Sequence, residues 1–201
     1  MKKLLLLVLA AAGLSFASAR AQTITATVGS GADTSYVVIE AAAFGGPLIF
    51  AFQYDYDPAN PFDTSTMLSL IDDALPELSL TYINYGTVEE PNLFLDAVTW
   101  QGLTLTNTPA PEFSPYWVQW VSGGRAGFPE AEPIPSGTWM YASGVSAPYR
   151  LVEPGSWDGF VYNDGFSPPA VDPVPEPAAG VLLLTATGLL VFSRRRRTIN
   201  P

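Results

Sequence analysis

The sequence predicts a mainly β (α+β) fold, a single antiparallel β-rich domain with one short helix, and three observations carry that prediction. Apolar residues alternate with period two in nine segments. Most of those segments are separated by clusters of Gly, Pro, Asn or Asp, the residues that turn a chain. A single stretch departs from this pattern and shows helical spacing instead.

In chain order, TITATV (23–28) and YVVIEA (36–41) open the strand series. LIFAFQYDYD (48–57) follows, with Phe50, Phe52, Tyr54 and Tyr56 on one face and Ile49, Ala51, Gln53 and Asp55 on the other. Such alternation predicts a half-buried strand. The helix is expected within DTSTMLSLIDDALPEL (63–78), where Asp63, Thr64 and Ser65 are good N-cap residues. Met67, Leu68, Ile71 and Leu75 then fall on one helical face, and Pro76 ends the element. LSLTYI (78–83), LFLDAVTW (93–100), LTLT (103–106), YWVQWV (116–121), TWMYA (138–142) and WDGFVY (157–162) complete the strands. No fixed period repeats along the chain, which excludes a solenoid or propeller.

The two ends differ from this middle. Lys2 and Lys3 precede the apolar run Leu4–Leu14, and small residues follow. That order predicts a signal peptide over 1–21, export through Sec-type machinery and removal by signal peptidase. Of two cleavage frames, Ala17-Ser18-Ala19 and Ala19-Arg20-Ala21, the second is favoured and starts the mature chain at Gln22. At the other end, SPPAVDPVPEP (167–177) holds five prolines in eleven positions. An extended stalk is expected there, with 22–166 as the exported β-rich domain and 167–173 as linker. A marginal transmembrane helix is expected over 178–193, since a stable span needs about 20 apolar residues. Arg194, Arg195, Arg196 and Arg197 then form a cytoplasmic stop, because arginines beside a membrane segment stay inside.

Between Gln22 and Asp172 eighteen acidic residues face two arginines, Arg125 and Arg150, for a net charge of −16. Such a surface excludes nucleic acid as a partner, since phosphate binding needs a basic face. It also disfavours anionic lipid and suits a cation, a neutral glycan or a basic partner. The chain has no Cys and no His. Disulfides, Ser-His-Asp and Cys-His nucleophiles, His/Cys zinc sites and His- or Cys-ligated haem are thereby excluded.

The sequence Val174-Pro175-Glu176-Pro177, an apolar segment and the four terminal arginines resemble a PEP-CTERM sorting signal, covering 174–201. The resemblance implies a protein held transiently in the inner membrane of a Gram-negative-type bacterium. It further implies processing by an exosortase, a membrane-embedded transpeptidase. The product would reach the cell surface or an extracellular matrix, often of exopolysaccharide or biofilm. Pro175, Glu176 and Pro177 would form the recognised motif, with the two prolines keeping Glu176 extended and accessible.

A second resemblance covers Phe62–Asp164. A Tyr-Trp pair in PYWVQWVSGG (115–124) and a late Gly-Ser-Trp-Asp-Gly stretch (155–159) are similar to the transcobalamin C-terminal-like domain. That family implies a β-grasp-like module whose strands wrap one helix, with some members contacting a corrinoid or another flat ligand. SGGRAGFPEAEPIPSG (122–137) would be an inserted loop, the N-terminal strands fall outside the resemblance, and no ligand-binding residue carries over.

Within the domain, Asp55, Asp57, Asn60 and Asp63 are oxygen donors at spacing suited to calcium, but the EF-hand order is absent. An acidic turn leading into the helix cap accounts for the same residues. Trp100, Trp117, Trp120, Trp139 and Trp157 all lie in the second half, alongside Tyr116, Tyr141, Tyr149 and Tyr162, as a sugar-binding platform or, the favoured reading, as core filling. The acid pairs Asp72-Asp73, Glu89-Glu90 and Glu130/Glu132 are expected to be solvated rather than catalytic. Arg125 and Arg150 are expected to pair with carboxylates at the surface, where such pairs contribute little. The expectation is thus a non-enzymatic structural or interaction domain without cofactor or metal. The alternative is a small module binding a glycan or corrinoid-like ligand.

Overall fold

The computed structural model describes residues 22–109, 114–163 and 165–173. Their architecture is mainly β with one α-helix. The strands are β1 (Ala26–Gly29), β2 (Asp33–Ala41), β3 (Gly46–Tyr54), β4 (Leu78–Asn84), β5 (Leu93–Trp100), β6 (Leu103–Thr106) and β7 (Tyr116–Ser122). The two-residue strands β8 (Arg125–Ala126), β9 (Glu132–Pro133), β10 (Met140–Tyr141) and β11 (Arg150–Leu151) follow, then β12 (Trp157–Asn163). Helix α1 spans Thr64–Ala74.

The main sheet has six strands in the order β1-β3-β2-β12-β7-β10. It is mixed rather than purely antiparallel, because β1 runs parallel to β3 and β12 parallel to β2. The cause lies in the connections. Residues 30–32 do not close a β1–β2 hairpin; β3 comes in between the two strands. The crossing is tight, since a Cβ on Gly31 would lie 2.0 Å from the Tyr54 carbonyl carbon, and Gly31 has φ +152°. Only glycine fits such an approach. The last strand, β12, fills the sheet centre between β2 and β7.

On one face of this sheet Val37, Ile39, Phe50, Phe52 and Phe160 pack against Met67, Leu68 and Ile71 of α1 and against Leu78, Leu80, Leu95 and Val98. The last four belong to a second, antiparallel sheet ordered β4-β5-β6. Asp63 caps α1, accepting from the Thr66 amide at 2.8 Å, as its position before the apolar spacing predicts. The segment 122–137, expected as a loop, carries the β8–β9 ribbon, which β11 extends to three strands.

The opposite face corrects the half-buried reading of residues 48–57. Ile49 and Ala51 are as buried as their alternates Phe50 and Phe52. Val38, Ile49 and Trp157 form a second small core, flanked by Tyr36, Trp139 and Val171. The Pro-rich stretch 167–173, expected as an extended stalk, supplies part of that cover. Pro169 and Pro173 are buried, the Ala170 amide donates to Glu40 Oε2 at 2.8 Å, and Trp139 Nε1 donates to the Val171 carbonyl at 2.7 Å. No helix among the described residues is long and apolar enough to cross a membrane. The expected helix over 178–193, the signal peptide, Pro175, Glu176, Pro177 and Arg194–Arg197 lie outside the described residues.

Candidate functional site

A cleft of about 900 Å³ opens where the two larger sheets part, between β5–β6 and the edge strand pair β7–β10. Strand β10 is only two residues long, so it pairs with β7 at Trp120 and Val121 and leaves residues 116–119 facing the cleft. The floor is apolar, with Leu95, Trp117, Val118 and Phe160. The rim is aromatic, formed by Tyr85, Phe94, Tyr116 and Tyr141. Tyr85 and Tyr141 are 70% and 56% exposed, unusual for rings beside so much core. Ring contacts fix them: Tyr85 sits edge-on to Phe94 at 5.3 Å, and Tyr141 edge-on to Phe166 at 5.4 Å.

The polar residues of the cleft divide into two sets. Asn107 is structural. Its Oδ1 accepts from the Trp117 amide at 2.7 Å and its Nδ2 donates to the Leu95 carbonyl at 2.9 Å, so one side chain ties the two sheets together. Gln119 likewise accepts from the Gly144 amide at 3.1 Å. Asp96, Thr106 and Thr108 also line the cleft, and their side chains make no hydrogen bond to a described residue. Among the described residues no Lys or Arg lines the cleft. Flat aromatic faces beside uncommitted hydroxyls and one carboxylate suit a neutral ligand bearing hydroxyl groups, and disfavour an anion.

Arg150 and Asp158 form a separate centre that is wholly internal, and here the expectation of a surface pair is corrected. Both side chains are fully buried, with Nη2 and Oδ2 2.9 Å apart and Nε 3.0 Å from Oδ1. The three remaining guanidinium protons go to the carbonyls of Gly123 at 2.7 Å, Trp157 at 3.3 Å and Arg125 at 3.4 Å. Asp158 also accepts from the Thr64 hydroxyl at 3.0 Å. Arg150 is enclosed because β12 occupies the sheet centre and the backbone of Gly123 and Arg125 lies against its guanidinium, a long-range arrangement that local sequence does not show. Arg125, by contrast, donates to the Ala131 carbonyl at 3.1 Å and organises the β8–β9 ribbon.

The other sequence candidates separate. Asp55 accepts from the Ala32 amide, Asp57 from the Ala59 amide and the Asn60 side chain, and Asp63 from Thr66 and Ala147 amides. Hydrogen bonds from Asn60 and Ala59 hold the Asp57 carboxyl below its ordinary value. Among the described residues no group of three or more acidic side chains is placed to hold a metal ion. Of the tryptophans, Trp117 and Trp157 are core residues, while Trp100, Trp120 and Trp139 are half-buried and share no exposed platform. The acid pairs are exposed except for Asp72, whose carboxyl is raised by burial, with the neighbouring Asp73 charge adding to it.

Sequence reasoning had Tyr116, Trp117 and Tyr141 among its aromatic candidates but missed Tyr85, Phe94 and Asn107 of the cleft. Tyr85 follows a strand end beside Gly86, and an aromatic in a turn cannot join the alternating core; that was the available signal. Asn107 gave none, because its role depends on where β7 arrives. The chain matches no known family model, and no curated protein or solved structure matches it.

Proposed function

We propose that this chain is an exported envelope protein, sorted by its C-terminal tail and processed by an exosortase. Its folded domain would act without catalysis as a structural or interaction component of the cell surface or extracellular matrix. The observation that carries the reading is the order of elements in 174–201: Pro175-Glu176-Pro177, fifteen uncharged residues from Ala178 to Phe192, then four arginines. A signal peptide at the opposite end sends the domain outward while the arginines stay inside. The acidic surface fits a protein released among neutral polymers rather than one adsorbed on anionic lipid.

A second reading attaches to the cleft, that the domain is a small ligand-binding module. Its exposed tyrosines and uncommitted Asp96, Thr106 and Thr108 favour a neutral glycan. Replacing Glu176 with Ala, or deleting Arg194–Arg197, is expected to leave an uncleaved or mislocalised precursor, read by mass spectrometry of both termini from the native host. Normal processing of both variants overturns the sorting reading. For the cleft, Tyr141→Ala is expected to abolish retention on immobilised neutral exopolysaccharide and, through its lost ring contacts with Trp120 and Phe166, to cost about 1–2 kcal/mol in urea unfolding while the domain stays folded; unchanged retention overturns the cleft reading.

A further inference from the structure

Of the four exposed aromatic rings among the described residues, three lie in or beside the cleft: Tyr85, Tyr141 and Phe166. Phe166, 64% exposed, is not part of the cleft wall. It sits just outside, edge-on to two rings that are, Tyr116 at 6.2 Å and Tyr141 at 5.4 Å. Tyr85 and Phe94 stand edge-on to each other on the β4–β5 side. Aromatic surface therefore runs from that wall to the β7–β10 wall and continues beyond the cleft onto Phe166.

The backbone on both sides of Phe166 is anchored. The Gly165 amide donates to Asn163 Oδ1 at 3.0 Å. Further along, Pro169 packs over Gly159, the Ala170 amide donates to Glu40 and the Val171 carbonyl accepts from Trp139 Nε1. One exposed ring needs no explanation, but several neighbouring ones braced in place mark a contact surface. Rings fixed in this way supply contact area at little cost in conformational entropy.

Ring orientation decides what such a surface can hold. Tyr116 and Tyr141 each lie at 73° to Phe166, and Tyr85 lies at 82° to Phe94. Faces turned this far apart do not make one plane. A single flat ligand, such as a corrinoid, covers one of them and leaves the others in water. A chain of small rings joined by rotatable bonds presents a face to each in turn. The polar groups agree with such a chain when it is uncharged: Asp96, Thr106 and Thr108 offer a carboxylate and hydroxyls inside the cleft, and the acidic domain around them repels a polyanion.

We infer that the cleft binds a run of several sugar units of a neutral polysaccharide, with Phe166 as an outlying contact that only the longer ligand reaches. This rests on the glycan reading of the cleft given above and adds the length of chain that the site recognises.

The test uses the full-length chain in detergent micelles, retained on the immobilised neutral exopolysaccharide of its own host. Size-fractionated fragments of that polymer, from single sugars upward, compete for retention. Affinity is expected to rise with length by about tenfold or more before levelling off, as successive ring contacts add. Phe166→Ala is expected to lower affinity for the longest fragments by roughly three- to tenfold, the weight of one aromatic contact, and to leave the shortest unchanged. Phe166→Leu keeps apolar bulk without the flat face and is expected to behave alike, and urea unfolding of both variants verifies that they fold. Single sugars that compete as well as the longest fragments overturn the inference. So does an affinity for long fragments that neither Phe166 variant changes, or displacement of the polymer by a flat corrinoid, tested as cobinamide. Failure of the unaltered chain to be retained at all overturns the glycan reading beneath, a separate and distinguishable failure.

Discussion

A guanidinium and a carboxylate taken out of water each lose several kcal/mol of hydration, and only close, fully bonded geometry recovers it. Arg150 and Asp158 have that geometry, with every contact directed to a carboxylate or a backbone carbonyl. The pair is therefore costly to break from one side. Arg150→Met leaves Asp158 buried with Thr64 and a 3.5 Å contact to Gln119. A loss of about 3–5 kcal/mol is expected in urea unfolding. Asp158→Leu combined with Arg150→Met is expected to cost less than the sum of the single changes, because the second change removes a charge already orphaned. Additive losses would mean that the two side chains act independently. Tyr82 shows the opposite situation. Its hydroxyl is buried without a hydrogen-bond partner among the described residues, and burial pushes the phenol well above its ordinary value, with Asp72 and Asp63 adding to it. Tyr82→Phe removes only that unsatisfied group, so stability is expected to rise by about 1 kcal/mol, measured by the same urea titration. A decrease would show that the hydroxyl is solvated in solution.

At the scale of elements, α1 depends on one residue at its start. Asp63 accepts from Thr66 and Ser65 through Oδ1 and from the Ala147 amide through Oδ2. It therefore caps the helix and also fastens the 143–149 loop to the helix start. Asp63→Ala is expected to cost about 1–2 kcal/mol, at the upper end for a cap, while Asp63→Asn recovers most of it; thermal unfolding distinguishes them. Equal losses for both would remove the cap as the cause. That cap was legible in the sequence, because Asp-Thr-Ser precedes apolar residues at helical spacing and Pro76 follows them. Strands β5 and β6 were legible to the residue, since alternation and the Gln101-Gly102 turn are local. Strands β8, β9 and β11 were not. Each has two residues, too few to show a period, and each exists only because its partner arrives from elsewhere in the chain. Where the Pro-rich stretch 167–173 packs was not legible for a related reason. Proline content indicates extended backbone, but not what that backbone lies on, and Gly159 opposite Pro169 becomes informative only when the two are brought together. The cleft's aromatics were visible as residues, whereas their exposure depends on how short β10 is.

Between Gln22 and Asp172 the molecule carries its charge almost entirely as one sign, eighteen carboxylates against two arginines. One of those arginines is spent internally on Asp158, which leaves Arg125 alone to set against the other seventeen acids of that stretch. Self-repulsion of this kind opposes the compact state, since unfolding spreads the charges apart. Salt weakens it, because the Debye length falls from ~30 Å at 0.01 M to ~10 Å at 0.1 M, below the dimensions of the domain. The buried pair is shielded from solvent and responds little over the same range. Raising sodium chloride from 10 to 200 mM is therefore expected to raise the thermal midpoint of the isolated domain, by several degrees if about 1–2 kcal/mol of repulsion is removed. The specific-ion contribution separates from screening in a comparison of chloride and sulfate at equal ionic strength, since screening alone predicts matching shifts. A falling midpoint would mean that favourable surface pairs outweigh repulsion and would overturn this account of the field. The same field bears on the cleft. Its lining holds Asp96 and no cation, so added salt is expected to leave retention of a neutral glycan unchanged, while weakening that of a cationic polymer held by long-range attraction.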